Sequence, residues 1–151
     1  MMPDIFEPTV VTELINRINK INAESRPLWG KMDAGQMVAH CSVTYEMIYE
    51  DIHPQPGFLK KWLLRLLIKP VVTGEKGYPK SVRTASEFII TGTKDVEKEK
   101  ARLINYMKKT QELGKAHFEG KSSHSFGRLT AIEWNNMMYK HLDHHLQQFG
   151  C

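Results

Sequence analysis

More than forty residues separate two strongly helical stretches of this 151-residue chain, and that gap narrows the architecture more than any other feature. Asp33-Ala34-Gly35-Gln36 sets an N-cap acceptor three residues ahead of a Gln, a capping-box arrangement that predicts a helix from Asp33 to about Glu50. His53-Pro54-Gln55-Pro56-Gly57 ends it, since two prolines and a glycine remove donors and favour turns. The next long helix is expected from about Asp95 to Leu113, with Val96, Leu103, Ile104 and Met107 as its apolar stripe and Gly114 as its stop. Neighbouring bundle helices are joined by roughly two to eight residues. The longer gap must therefore be a crossover with structure of its own.

Two further helices complete the set. From Thr9 to Ala23 the residues Val10, Leu14, Ile15, Ile18 and Ile21 recur at three- and four-residue spacing. Thr130-Ala131-Ile132-Glu133 is a second capping box and opens a helix running to Phe149, with Gly150 just beyond. The reading is an all-α four-helix bundle, one domain over residues 1–151, with a long crossover between helices two and three. Within the crossover Phe58 to Ile68 reads as a short helix with two adjacent apolar rows and a basic stripe of Lys61, Arg65 and Lys69. Its simplest role is to cover one face of the bundle; the other is to dock on an anionic membrane or a partner. Ser86 to Thr91 reads as extended.

Composition excludes several classes. Lys plus Arg outnumber Asp plus Glu by 21 to 17, a net charge of +4, which gives no reason to expect nucleic-acid binding. The basic excess is local, for residues 58–102 carry eleven basic and five acidic side chains. The apolar run from Phe58 to Ile68 is short and broken by Lys60, Lys61 and Arg65, so no transmembrane segment is expected. Cys41 and Cys151 make no disulfide framework and the chain starts without a leader pattern, so a cytoplasmic protein is expected. No phosphate-binding glycine loop, serine-nucleophile elbow or His-Glu-x-x-His run is present, because Leu142 follows His141.

The chemistry concentrates in Tyr139-Lys140-His141-Leu142-Asp143-His144-His145-Leu146-Gln147-Gln148. His141 and His145 are four residues apart on one helix face, roughly 6 Å apart at Cβ. Trp134, Met138, His141, His145 and Gln148 follow a four-three-four-three rhythm that faces both rings inward. His40 sits in the inward stripe of helix two with Met37, Cys41, Thr44 and Met47. Three neutral imidazoles on facing helices can hold one divalent ion and leave a coordination position open, the arrangement of a catalytic site. The same spacing fits three core histidines, each with its own hydrogen-bond partner, and spacing alone leaves both readings open.

A His in the first half of helix two and a His-x-x-His-His run on the last helix resemble the DinB/YfiT-like metalloenzyme superfamily. The likeness takes in Trp29-Gly30-Lys31-Met32, Gln36-Met37-Val38-Ala39-His40, Phe126-Gly127-Arg128-Leu129-Thr130, Glu133-Trp134 and His141 through Gly150, in the manner of an uncharacterised branch. The resemblance implies a four-helix bundle with a long second crossover, often as a homodimer, and a zinc or nickel ion on His40, His141 and His145. It also implies a small-molecule substrate and, as in thiol transferases of the superfamily, a low-molecular-weight thiol such as bacillithiol, mycothiol or glutathione as cosubstrate. Those transferases often carry a further His where this chain has Gln148, and Gln cannot act as a general base.

Two functional classes follow: a metal-dependent thiol S-transferase or hydrolase, and a non-catalytic bundle that holds a metal or an apolar ligand. Turnover separates them. His144, turned about 100° from its neighbours, is a candidate pocket group with Gln148, His124 and Trp29. His124 also fits a solvated loop, and Trp29 a cap on the core. No general base is singled out among Tyr45, Tyr139, Gln148 and His144. His53 and His117 are expected to be exposed, and Cys41 to be a small core residue.

Overall fold

The computed structural model describes residues 2–80 and 84–151. Four long helices form an all-α bundle: α1 (Pro8–Asn19), α2 (Ala34–Tyr49), α5 (Val96–Phe118) and α6 (Ala131–Gln148). The crossover between α2 and α5 carries α3 (Phe58–Leu63), a π-helical turn (Leu64–Ile68) and α4 (Lys69–Thr73). A two-residue hairpin, β1 (Ser122–Ser123) with β2 (Gly127–Arg128), precedes α6. Both α2 and α1 pack on α5 and α6.

Local chemistry sets the ends of these elements. Both capping boxes form: Asp33 accepts from the Gln36 amide while Gln36 returns a bond to the Asp33 amide, and Thr130 and Glu133 do the same for α6. Pro8 opens α1, which ends at Asn19, short of Ala23. The reason is a turn at Asn22, whose side chain accepts from the Glu24 amide and whose carbonyl accepts from Ser25. Gly114 breaks α5 with φ 68°, and one last turn then carries the chain to Phe118.

The core runs through the bundle: Leu14 and Ile18 from α1, Met37 from α2, Leu103 and Met107 from α5, and Trp134 and Met138 from α6 are essentially inaccessible. At one end Phe6 and Trp134 flank Phe118, with ring centroids 5.3 and 5.5 Å away. Helix α2 is buried on every side from Met37 to Glu46, and Gly35 lets the Lys94 carbonyl lie where a Cβ would otherwise collide with it.

The crossover departs from the sequence reading in two ways. Residues Ser86–Phe88 form a 3-10 turn that continues extended, with no strand partner among the described residues, so the expected β character is not realised. The helix from Phe58 does not cover the bundle: neither α3 nor the π-helical turn has a buried residue.

Candidate metal centre

Helices α2 and α6 bring His40, His141 and His145 together, and one ring nitrogen from each lies within 4.8 Å of the other two. Ring centroids are 4.9 Å apart for His40 and His141, 4.5 Å for His40 and His145, and 4.9 Å for His141 and His145. His40 and His145 are buried and His141 is half-buried.

The hydrogen bonds around the rings decide which nitrogens face the centre. His40 Nδ1 lies 2.8 Å from the Phe88 carbonyl, which can only accept, so Nδ1 carries the proton and Nε2 presents a lone pair. The Gln148 side-chain Nε2 donates to the Trp29 carbonyl at 2.7 Å, which turns the amide oxygen toward His145 Nδ1 at 2.8 Å. His145 Nδ1 must then be the donor, and its Nε2 is left bare. Such outward bonds from Nδ1 are the usual second support of a metal-binding imidazole.

His141 is the adaptable member. Its Nδ1 is 3.1 Å from the Thr44 hydroxyl, which can donate or accept, and its Nε2 is 3.0 Å from His40 Nε2. Without an ion, Thr44 donates to Nδ1 and His141 Nε2–H donates to His40. To hold an ion through Nε2, His141 would carry its proton on Nδ1 and donate it to the Thr44 hydroxyl, which can accept as well as donate. His40, His141 and His145 are thus the residues that could hold a metal ion here.

Burial lowers the pKa of all three rings, and their neighbouring histidines add to it; His145 falls to about 3. Neutral imidazole is the form that binds metal, so the fold holds the ligands ready at neutral pH.

The other candidate residues separate. The His144 ring lies 5.1 Å from His145, between the rings of Trp29 at 5.9 Å and Tyr78 at 5.6 Å, beside the cluster. Lys80 sits 4.3 Å over the Trp29 ring. Gln148 has both ends of its amide engaged, and Gly30, at φ 83°, makes room for it: a Cβ there would lie 2.6 Å from Gln148 Nε2. His124 bonds Ser125 and the His53 carbonyl near the hairpin, away from the cluster's hydrogen-bond network. His53 is half-buried and pairs with Glu46 at 2.7 Å, contrary to the expected exposure, whereas His117 is exposed. Burial pushes the Cys41 thiol far up, which makes it an inert core residue.

Phe88, Tyr78 and Lys80 carry no signal in the sequence that marks them for the site, and Lys140 stands in the histidine run without a role of its own. Thr44 lies on the inward stripe, and its position one turn after His40 carries the signal. Lys140, one residue before His141, is buried and donates to the carbonyls of Val71, Gly74 and Lys76 at 2.6, 2.5 and 3.1 Å, fastening the crossover to the site helix.

A helical bundle with a three-histidine group able to hold a metal ion between two of its helices is the class that fold and site define. The chain belongs to the DUF1569 family, described as proteins of unknown function, whose model matches residues 5–150. No curated protein and no solved structure matches it.

Proposed function

We propose that this protein is a metal-dependent enzyme of DinB/YfiT-like type, with zinc or nickel on His40, His141 and His145, acting on a small molecule as a thiol S-transferase or hydrolase. The observation that carries the reading is the outward anchoring of His40 and His145, which bares two Nε2 lone pairs toward the third ring. An ion held there by three neutral nitrogens would leave a coordination position for a thiol or water and would lower that group's pKa toward neutrality. The chain's own groups do the rest. Phe88, Thr44 and Gln148 fix ring orientation, while Trp29, Tyr78 and His144 wall the flank of the cluster.

Metal content measured by mass spectrometry on untagged protein purified without chelators tests this, with His40→Ala, His141→Ala and His145→Ala alongside. The expected result is about one ion per chain, lost in each variant while the helical circular dichroism spectrum persists. Stoichiometric metal in all three variants, or no uptake of added zinc or nickel by the parent, overturns the site. Turnover of small electrophiles with a panel of low-molecular-weight thiols then separates an enzyme from a metal-holding bundle.

A further inference from the structure

The crossover arm displays its apolar side chains instead of burying them. Phe58 is 89% exposed, Leu67 61% and Trp62 53%, and Leu59, Leu63 and Leu66 are exposed as well. These six recur at three- and four-residue spacing along one helical arc. Contiguous apolar exposure of this kind on a folded domain marks an interaction surface. The arm is tied down by polar contacts: Lys60 pairs with Glu87 at 3.3 Å, Lys69 with Glu133 at 2.8 Å, and Lys140 holds the carbonyls at its end. Its polarity is thus reversed relative to a helix that seals a core, with polar ties toward the body and leucines outward.

Charge decides what the arm meets. Between Phe58 and Gly74 there is no acidic residue; of the basic ones Lys60 and Lys69 are paired with Glu87 and Glu133, and Lys61 and Arg65 have no ion pair among the described residues. A second copy docked through the same face would set two such basic segments against each other, whereas an anionic surface complements them. Aromatic and leucine side chains on one arc with Lys and Arg alongside are the composition of a helix that lies in the plane of a membrane interface. There the long Lys61 and Arg65 side chains would reach the headgroups while their stems lie on apolar surface. The arm is sixteen residues from Phe58 to Thr73, and no described helix is long and apolar enough to cross a membrane.

We infer that the Phe58–Thr73 arm is a membrane-docking element that lays its leucine and aromatic face on an anionic phospholipid surface. The inference is independent of the metal site.

Flotation of the full chain with vesicles of phosphatidylcholine alone and of equimolar phosphatidylcholine and phosphatidylglycerol tests it. Binding is expected to the anionic vesicles only, to weaken with salt, and to bring a blue shift of tryptophan emission that Trp62→Phe removes. Leu66→Glu and the pair Lys61→Glu with Arg65→Glu change residues that are exposed or, for Lys61, half-buried, and are expected to leave the fold intact by circular dichroism; each is expected to lower partitioning about tenfold or more. Equal partitioning to neutral vesicles, or none to either, overturns the inference. If the unbound protein is instead a dimer in sedimentation velocity that Leu66→Glu dissociates, the surface belongs to a second copy.

Discussion

Gln148 shows how a residue outside the three-histidine group can set the state of one of its rings. Its amide nitrogen serves the Trp29 carbonyl and its oxygen serves His145, so the loop before α2 dictates the tautomer of a ring on α6. Gln148→Leu removes both bonds and frees His145 to turn. Metal affinity, measured by competition with a chromophoric chelator, is expected to fall about 10–100-fold while the helices persist. Gln148→Glu keeps an acceptor for His145 but sets a carboxylate against the Trp29 carbonyl; it is expected to retain most of the affinity and to lower the melting temperature. Gly30→Ala acts on the same link from the other side, through its positive φ and the close Gln148 amide, and is expected to cost more than about 1 kcal/mol in thermal unfolding. The three rings were legible in the sequence because helical spacing fixes which face a histidine shares. Of their supports, Thr44 and Gln148 were legible as members of the inward stripes, whereas Phe88 and Trp29 contribute backbone carbonyls, and a carbonyl leaves no mark on residue type.

At the scale of elements, α4 depends on a lysine from another helix. A helix of five residues ends with carbonyls that have no partner of their own. Lys140 Nζ collects those of Val71, Gly74 and Lys76 and crosses the Tyr78 ring at 4.7 Å. Burial lowers its pKa, yet charge-assisted bonds to three carbonyls hold the ammonium in place. Lys140→Met should leave these carbonyls unpartnered at a cost of about 1–3 kcal/mol. Hydrogen exchange is expected to rise in residues 69–80 and to change little in α2 and the first half of α5. Unchanged exchange in that segment would show that the crossover is held by other contacts. Helix ends were legible where side chains make them, as in the capping boxes at Asp33 and Thr130 and the break at Gly114. The crossover was less so. Periodicity announces that Phe58–Ile68 has an apolar face but not whether that face meets the bundle, and Ser86–Thr91 takes its form from supporting His40 with a carbonyl, not from pairing in a sheet.

For the whole molecule the histidine cluster couples folding, protons and metal. Above pH 6.5 the rings are neutral whether the chain is folded or not, and they place no pH dependence on stability. As pH falls below that value the unfolded chain takes up protons that the folded cluster refuses, because burial holds its pKa values down, to about 3 for His145. The unfolded state then binds more protons, so stability drops with falling pH, by up to about 1.4 kcal/mol per pH unit for each such ring. The loss continues until pH passes the folded pKa values. Metal-free protein is therefore expected to lose melting temperature steadily from pH 6.5 downward, and a His145→Gln variant to lose it less steeply. Metal adds an opposite term. At a free concentration one hundred times the dissociation constant, zinc or nickel should raise stability by about 2.7 kcal/mol. An exposed histidine site would surrender that gain near pH 6.5, where protons compete for the ring nitrogens. Here the folded cluster resists protonation, so the metal-dependent rise in melting temperature is expected to persist at pH 5.5. Thermal melts at pH 7.5 and 5.5, with and without added zinc, measure it directly, and a gain that vanishes at the lower pH would mean that solvent reaches the rings more freely than their burial between α2 and α6 allows.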